Sequence, residues 1–272
     1  MPLQNPHLAE FLGAVSRHFN PDAPDTFWEC EPALRKLLAT PVAREVVNEE
    51  LGKLGEIPDH VGDWSPTELI LHRGGGTAMS LSFSGVSKRY LHVLPYHAIY
   101  AVLDSEKIVY DRYPLPKGYR NDLFDPNLRL GPAESGVLSR NDVLRIPCGE
   151  NAFDFKIQKP VMMLKFVTTA ILPLEWLFKR ETLQAWQAND ADLSFTQLRV
   201  AADVLGKMAH QSSMKALKLM TGHGHHAVRW SAIQNLGRIN RTEAILKLKE
   251  AVNDPHPHVR NAAQKTLQKL GS

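Results

Sequence analysis

Twelve histidines and two cysteines carry the richest chemistry in this chain. His72, His92 and His97 fall among short apolar runs, and neutral imidazole is a good ligand for divalent transition metals. A catalytic metal site takes about three protein ligands and leaves one position open. His92 and His97 could supply two, and His72, on an early strand, is the best third. The plainer alternative is histidines satisfied by hydrogen bonds within the fold. A second group, His223-Gly224-His225-His226, has counterparts at the next repeat's turn in His256 and His258. Histidine-rich tracts can bind metal. The same residues also read simply as turns that precede equivalent helices, with His223 where Asp254 sits. Stacked turns would bring the imidazoles into line, although nothing in the sequence fixes a supporting shell around them. Cys148 lies between Pro147 and Gly149 with no adjacent base or positive field, so a structural thiol is expected rather than a nucleophile. Gly74-Gly75-Gly76 lacks a Gly-Lys-Ser/Thr ending and a following helix, which makes it a turn or bulge rather than a phosphate loop.

The chain that must position these groups has 272 residues, enough for one large or two modest domains. Its hydrophobic fraction of 43% supports a buried core and argues against disorder. With 32 Lys and Arg against 29 Asp and Glu, the charge balance gives no reason to expect nucleic acid or an anionic membrane as a partner. The start, MPLQNPHLAEFLGAV, has no basic region followed by an apolar run, so no signal peptide is expected. The most apolar stretch, Val161 to Phe178, is broken by Lys165, Pro173 and Glu175, so no membrane span is expected. Cys30 and Cys148 do not suggest a secreted disulfide framework, and a cytoplasmic protein with free thiols is the default.

Residues 1–56 read as an N-terminal helical segment. Leu8, Phe11, Leu12, Val15 and Phe19 recur at helical spacing. A later helix, Pro41 to Leu54, opens with Thr40 as N-cap and proline at its first position. From about Ile57 to Thr169, short runs rich in β-formers are separated by Gly, Ser, Asp and Pro, the texture of an antiparallel sandwich or barrel. Tyr113 to Gly136 forms a long loop, the kind that often serves as a lid or an interface. From about Leu174 the chain reads as helical. Val228-Arg229, Ala232, Leu236 and Ile239 recur 31 positions later as Val259-Arg260, Ala263, Leu267 and Leu270. A helical hairpin of this kind cannot bury its apolar face alone, so neighbouring units must stack.

Two resemblances follow from these residues. Asp254-Pro255-His256-Pro257-His258-Val259-Arg260-Asn261-Ala262-Ala263 resembles HEAT-like repeats, which implies an α-solenoid of two to three units with a protein-docking surface. The middle of the chain resembles a cupin barrel. Leu91 to Glu106 is similar to the family's first motif, and Asn141 to Gly149 to its second. In the second motif Pro147 and Gly149 match, Asn141 stands at a glycine position, and the metal-binding His falls on Ala152. In the first, with Ser105 at the glycine position, the Glu falls on Ala98 and the two His fall on His92 and Leu94. In that register His92 alone survives of four ligands. A shift by one would use both His92 and His97, but it would turn every side chain of the strand to the other face. The resemblance implies that His92 and Tyr100 face a barrel interior, to which Tyr110 or Arg145 adds a hydroxyl or a charge. That interior either holds an organic ligand or is simply filled by these side chains. Cupin-like proteins are commonly dimers, so a homodimer is expected by resemblance.

The fold class expected is therefore α+β and multidomain. It comprises N-terminal helices over 1–56, an antiparallel cupin-like β-barrel over 57–173 and a HEAT-like α-solenoid over 174–272. Two functions compete. In the first, the barrel binds a small molecule or a partner without catalysis, and the repeats dock a protein. In the second, the chain is a cupin-type enzyme of the oxygenase kind, with a single divalent metal, iron, on His92 and His97. The sequence names no catalytic residue and no substrate.

Overall fold

Asparagine and proline start the first helix. In a computed structural model that describes residues 5–57, 62–65, 67–84, 89–104 and 107–271, the side chain of Asn5 accepts the Leu8 amide at 3.0 Å, with Pro6 at the first helical position. Helix α1 (Pro6–His18) buries Leu8, Phe11 and Val15 as one stripe. A 3-10 turn (Pro24–Cys30), α2 (Glu31–Leu38) and α3 (Val42–Glu56) follow. Thr40 does not cap α3. Its hydroxyl donates to the Leu37 carbonyl at 2.7 Å, and Pro41 occupies the cap position without a side-chain bond.

Eleven strands come next among the described residues: β1 (Glu68–Gly74), β2 (Thr77–Ser84), β3 (Tyr90–Val93), β4 (Ala98–Val102), β5 (Ile108–Pro114), β6 (Glu134–Leu138), β7 (Val143–Ile146), β8 (Asn151–Lys156), β9 (Val161–Thr168), β10 (Leu174–Lys179) and β11 (Ala185–Asp190). All pair antiparallel, in the orders β1-β2-β9-β4-β7 and β11-β10-β3-β8-β5-β6. From β2 to β9 the chain passes back and forth between the two sheets. This is a double-sheet jelly roll, here with β1 and the β10–β11 hairpin added. Gly75 and Gly76 form the two-residue turn between β1 and β2 with φ of +56° and +77°, a conformation that favours glycine.

Alternation along the strands gives each sheet two faces. On the first sheet, Leu69, Leu71, Met79, Leu81, Ile99, Ala101, Leu164 and Phe166 point outward and are covered by the N-terminal helices. Phe166 lies at the centre of this layer, 4.7 Å from the Phe27 ring and 5.1 Å from Phe11. Each such buried Leu, Ile, Met or Phe side chain contributes roughly 1.5–3 kcal/mol. The helices of 1–56 thus share a core with the first sheet, and residues Met1–Ala191 form one compact unit.

On the second sheet, the outer face carries Leu91, Val93, Ala152, Trp176 and Phe178. The loop from Leu115 to Ala133 packs against it through Leu115, Tyr119, Phe124, Leu128 and Leu130. Tyr119 donates to the Gly149 carbonyl at 2.8 Å, and Gln184 to that of Pro126 at 2.8 Å.

The expected helical region from Leu174 is corrected in its first part. Residues 174–190 are the β10–β11 hairpin, because Leu177 pairs with His92 and Trp176 with Val93 on the edge of β3. Helices begin with α4 (Leu193–Met208), followed by α5 (Ser213–Met220), α6 (His226–Ile239), α7 (Arg241–Ala251) and α8 (Pro257–Gly271). They make up a second compact unit, Asp192–Ser272. Val228, Ala232 and Leu236 on α6 and Val259 and Ala263 on α8 are buried at the predicted 31-residue repeat. Each unit's arginine pins its own turn. Arg229 donates to the carbonyls of His223 and Gly224, and Arg260 to those of Asp254 and Pro255. No helix among the described residues is long and apolar enough to cross a membrane.

Candidate functional site

Between the two sheets an apolar cluster of Val102, Ile108, Leu138, Val161 and Met163 is joined by several polar groups. One row across the first sheet runs Ile70, Ser80, Lys165, Tyr100, Leu144. Lys165 Nζ lies 2.6 Å from Glu68 Oε1 and 5.7 Å from the centre of the Tyr100 ring. From the second sheet, His92 on β3 and Glu175 on β10 face the same space, with His92 Nδ1 and Glu175 Oε1 2.8 Å apart. Tyr96, in the link between β3 and β4, completes the group. Its hydroxyl is pushed up to about 12 by burial, then by the charges of Glu175 and Glu68. Burial also raises Tyr100 well above the ordinary phenol range, aided by Tyr96, Glu68 and Glu175. Phe155 faces Tyr100 from the second sheet at 6.1 Å.

These side chains are not sealed. Lys165 and Glu68 keep 20% and 30% of their side-chain surface, and His92 and Glu175 keep 25% and 28%. Glu68, Lys165, His92 and Glu175 thus lie between the sheets with part of their side-chain surface accessible. The arrangement offers one ammonium, two carboxylates, one imidazole, two protonated phenols and an aromatic wall. It can hydrogen-bond a small polar molecule from several sides.

The structure separates the other residues read from the sequence. Tyr110 lies on the inner face beside Phe155, at 6.1 Å. Arg145 lies on the outer face of the first sheet, bonded to Glu31 and 5.6 Å from the Trp28 ring, so it adds no charge to the interior. Burial opposes ionisation of Glu31, yet its bonds to Arg145 and Arg35 hold the carboxyl below its usual range. His97 is also outside the sandwich, under the N-terminal segment. It sits against Trp28 and Phe27, with Nε2 3.3 Å from Asp25 and Nδ1 accepting the Cys148 amide at 3.2 Å. His72 follows a bulge in β1, with Nε2 3.2 Å from the Gly74 carbonyl oxygen at the hairpin turn.

The trio His72, His92 and His97 is therefore not a ligand set. Alternation and the bulge send the three rings to different places, and no cluster of three ligating groups forms in the sandwich among the described residues. Ala152, at the position of the second motif's metal-binding His, pairs with Val93 and shares its face, opposite to His92. The residues present do not fit a cupin iron site. Ser105 and Glu106 lie outside the described residues. Cys148 carries no activation, because burial, then Glu150 and Asp25, push its thiol up to about 11.

Four members of the interior group escaped sequence reading. In the sequence Lys165 and Glu175 interrupt an apolar run, Tyr96 lies inside the first cupin-like motif, and nothing singles out Glu68. A usable signal existed in Lys165, a charge alternating with Met163 and Val167 on one face of β9.

Residues 213–272 match the family model for HEAT repeats. No curated protein matches the chain. Among solved structures, hydroquinone 1,2-dioxygenase from Sphingomonas sp. TTNP3, with 4-hydroxybenzoate bound, is similar at 12% identity and a TM-score of 0.30, over 42% of this chain and 70% of that one. A double-stranded β-helix protein from Klebsiella pneumoniae is similar at 11% identity and a TM-score of 0.27, over 43% of this chain and 88% of that one. The jelly-roll assignment rests on the strand order, not on these likenesses.

Proposed function

We propose that this chain is a binding protein whose jelly-roll interior takes a small polar molecule and whose C-terminal repeats dock a protein. The observation that carries the first part is the group Glu68, Lys165, Tyr100, His92 and Glu175, charged and partly accessible between two sheets. A core with no ligand to meet gains little from placing the Lys165–Glu68 ion pair and the His92–Glu175 hydrogen bond between its sheets, since apolar replacements of buried pairs are often equally stable. Lys165 would meet an acceptor such as a carboxylate or hydroxyl, and Glu175 and His92 a donor. Tyr100 and Phe155 would flank the apolar part. The second part is supported by the HEAT match over 213–272. The reading as an iron oxygenase on His92 and His97 finds no support in the placement of the two rings.

Thermal denaturation of the untagged full chain against amino acids, hydroxy acids and sugars tests the binding reading. A ligand at 100 times its Kd stabilises by about 2.7 kcal/mol. The expected result is a compound that raises the Tm of the native chain and not that of Lys165→Met or Glu175→Gln. Shifts of equal size in all three proteins, or none across the panel, would remove the interior as a binding site. Metal content of the same protein beside His92→Ala separates the enzyme reading, which requires one equivalent of metal that the variant loses.

A further inference from the structure

The second unit contains a convergence of imidazoles that the jelly roll lacks. Helix α6 starts with His225 as N-cap and His226 as its first residue, and the start of α8 carries His256 just before it and His258 in its first turn. Stacking of the repeats brings these turns side by side. The rings of His226 and His256 lie parallel, with centres 3.6 Å apart and planes 9° apart. His258 closes the group, 5.2 Å from His256 and 6.0 Å from His226. One nitrogen of each of the three rings lies within 4.8 Å of the others.

The backbone around the three rings is fixed. Arg229 bridges the two turns, donating to both carboxylate oxygens of Asp254 at 2.8 and 2.6 Å as well as to the carbonyls of its own turn. Asp254 in turn accepts the His256 amide at 2.8 Å, and the His258 amide lies 3.3 Å from His256 Nδ1. The Arg229–Asp254 pair holds the two turns together, while the bond to His256 Nδ1 uses that nitrogen's lone pair and opens when a neutral His256 ligates.

We propose that His226, His256 and His258 form a three-imidazole site for one divalent transition-metal ion of the zinc, nickel or copper class, clipping together the turns before α6 and α8. Imidazole donors select these ions over magnesium or calcium. Three ligands leave one tetrahedral position for water or for a group from another molecule. Only neutral imidazole ligates. The N-termini of α6 and α8 oppose a cation here, which sets the affinity below that of a buried structural zinc site. Lone pairs of parallel rings do not converge, so ligation turns one ring of the stacked pair about its side-chain torsions.

This site is independent of the jelly-roll interior. Calorimetric titration of the untagged full chain with Zn²⁺ and Ni²⁺ at pH 7.5 tests it, with His256→Ala, His258→Ala and the distant His210→Ala beside it. The expected result is one saturable equivalent and a raised Tm. His258 is exposed, so its variant should keep the fold, as circular dichroism would report. Affinity should fall about tenfold or more in His256→Ala and His258→Ala and be unchanged in His210→Ala. Lys165→Met should bind the metal as the native chain does. Absence of a saturable equivalent, a smaller fall, or an equal fall in His210→Ala overturns the site.

Discussion

Cys148 illustrates how burial decides what a residue can do. It follows the strand β7 in a turn beside His97, yet burial and two nearby carboxylates raise its thiol from 9.0 to about 11. At pH 8 its thiolate fraction is then about 100-fold below that of an unperturbed thiol, and alkylation should be slower by a similar factor. Labelling followed by mass spectrometry across pH 7–10 checks this; a rate like that of free cysteine would show the thiol to be unburied. His97 gives a prediction of opposite direction in pH. Burial lowers its pKa below 6.5 in the fold, against the smaller opposing effects of Asp25 and Glu150. The unfolded chain therefore takes up this proton first as pH falls. The stability that neutral His97 contributes is present above pH 6.5 and is lost as pH drops through the folded value. Urea midpoints should fall between pH 7.5 and 5, and less steeply in His97→Asn; equal slopes would clear His97. Some of this scale was legible in the sequence. Asn141, standing where the motif has glycine, adopts φ of +64°, and Gly149 adopts +70°, so the motif marks backbone positions rather than ligands. The pairing of His92 with Glu175 was not legible, because the partners lie 83 residues apart and meet only through the β3–β10 register.

At the scale of elements, the helical repeat was readable because a 31-residue period repeats both an apolar stripe and a turn. The β10–β11 hairpin was not. Leu174-Glu-Trp-Leu-Phe-Lys is too short for periodicity to separate strand from helix, and pairing with β3 decides the matter. Gly206 is a point of close approach between α4 and α6, beside the buried Ala202 and Leu236. A Cβ at Gly206 would lie 2.3 Å from Asn235 Oδ1 and 2.6 Å from Asn235 Cβ. Asn235 is itself buried and held to the Ser231 carbonyl at 2.9 Å, so it cannot easily move aside. Overpacking of this kind costs about 1–3 kcal/mol, offset by about 0.5–1 kcal/mol from the better helix propensity of alanine. Gly206→Ala should therefore destabilise the second unit modestly. Combining it with Asn235→Ala should restore part of the loss, a coupling that a double-mutant cycle measures from the two midpoints. Strict additivity would place the strain elsewhere.

Over the whole molecule, the boundary between the two units carries the strongest consequence for stability. The sequence places the change from barrel to repeats near residue 174, and the structure places it between Ala191 and Asp192. The difference matters because the intervening hairpin contributes to the core under the 115–133 loop. Leu174, Trp176, Phe178 and Ala185 all belong to that cluster, and Trp176 touches Tyr119 at 5.8 Å and Phe124 at 5.4 Å. Removing the leucine, tryptophan and phenylalanine alone forfeits roughly 5–9 kcal/mol of burial. That is comparable to the entire stability of an ordinary domain, roughly 5–15 kcal/mol. It also uncovers the β3 edge, where Leu91 and Val93 would face water beside unpaired backbone. A fragment of residues 1–191 should therefore melt cooperatively with a β-rich spectrum, whereas one of residues 1–173 should be unfolded or aggregate. The full chain, with a separate core in each unit, should depart from two-state unfolding. Circular dichroism melts of the three proteins decide the point. Equal cooperativity in the two fragments would mean that the hairpin is an appendage and that the jelly roll is complete without it.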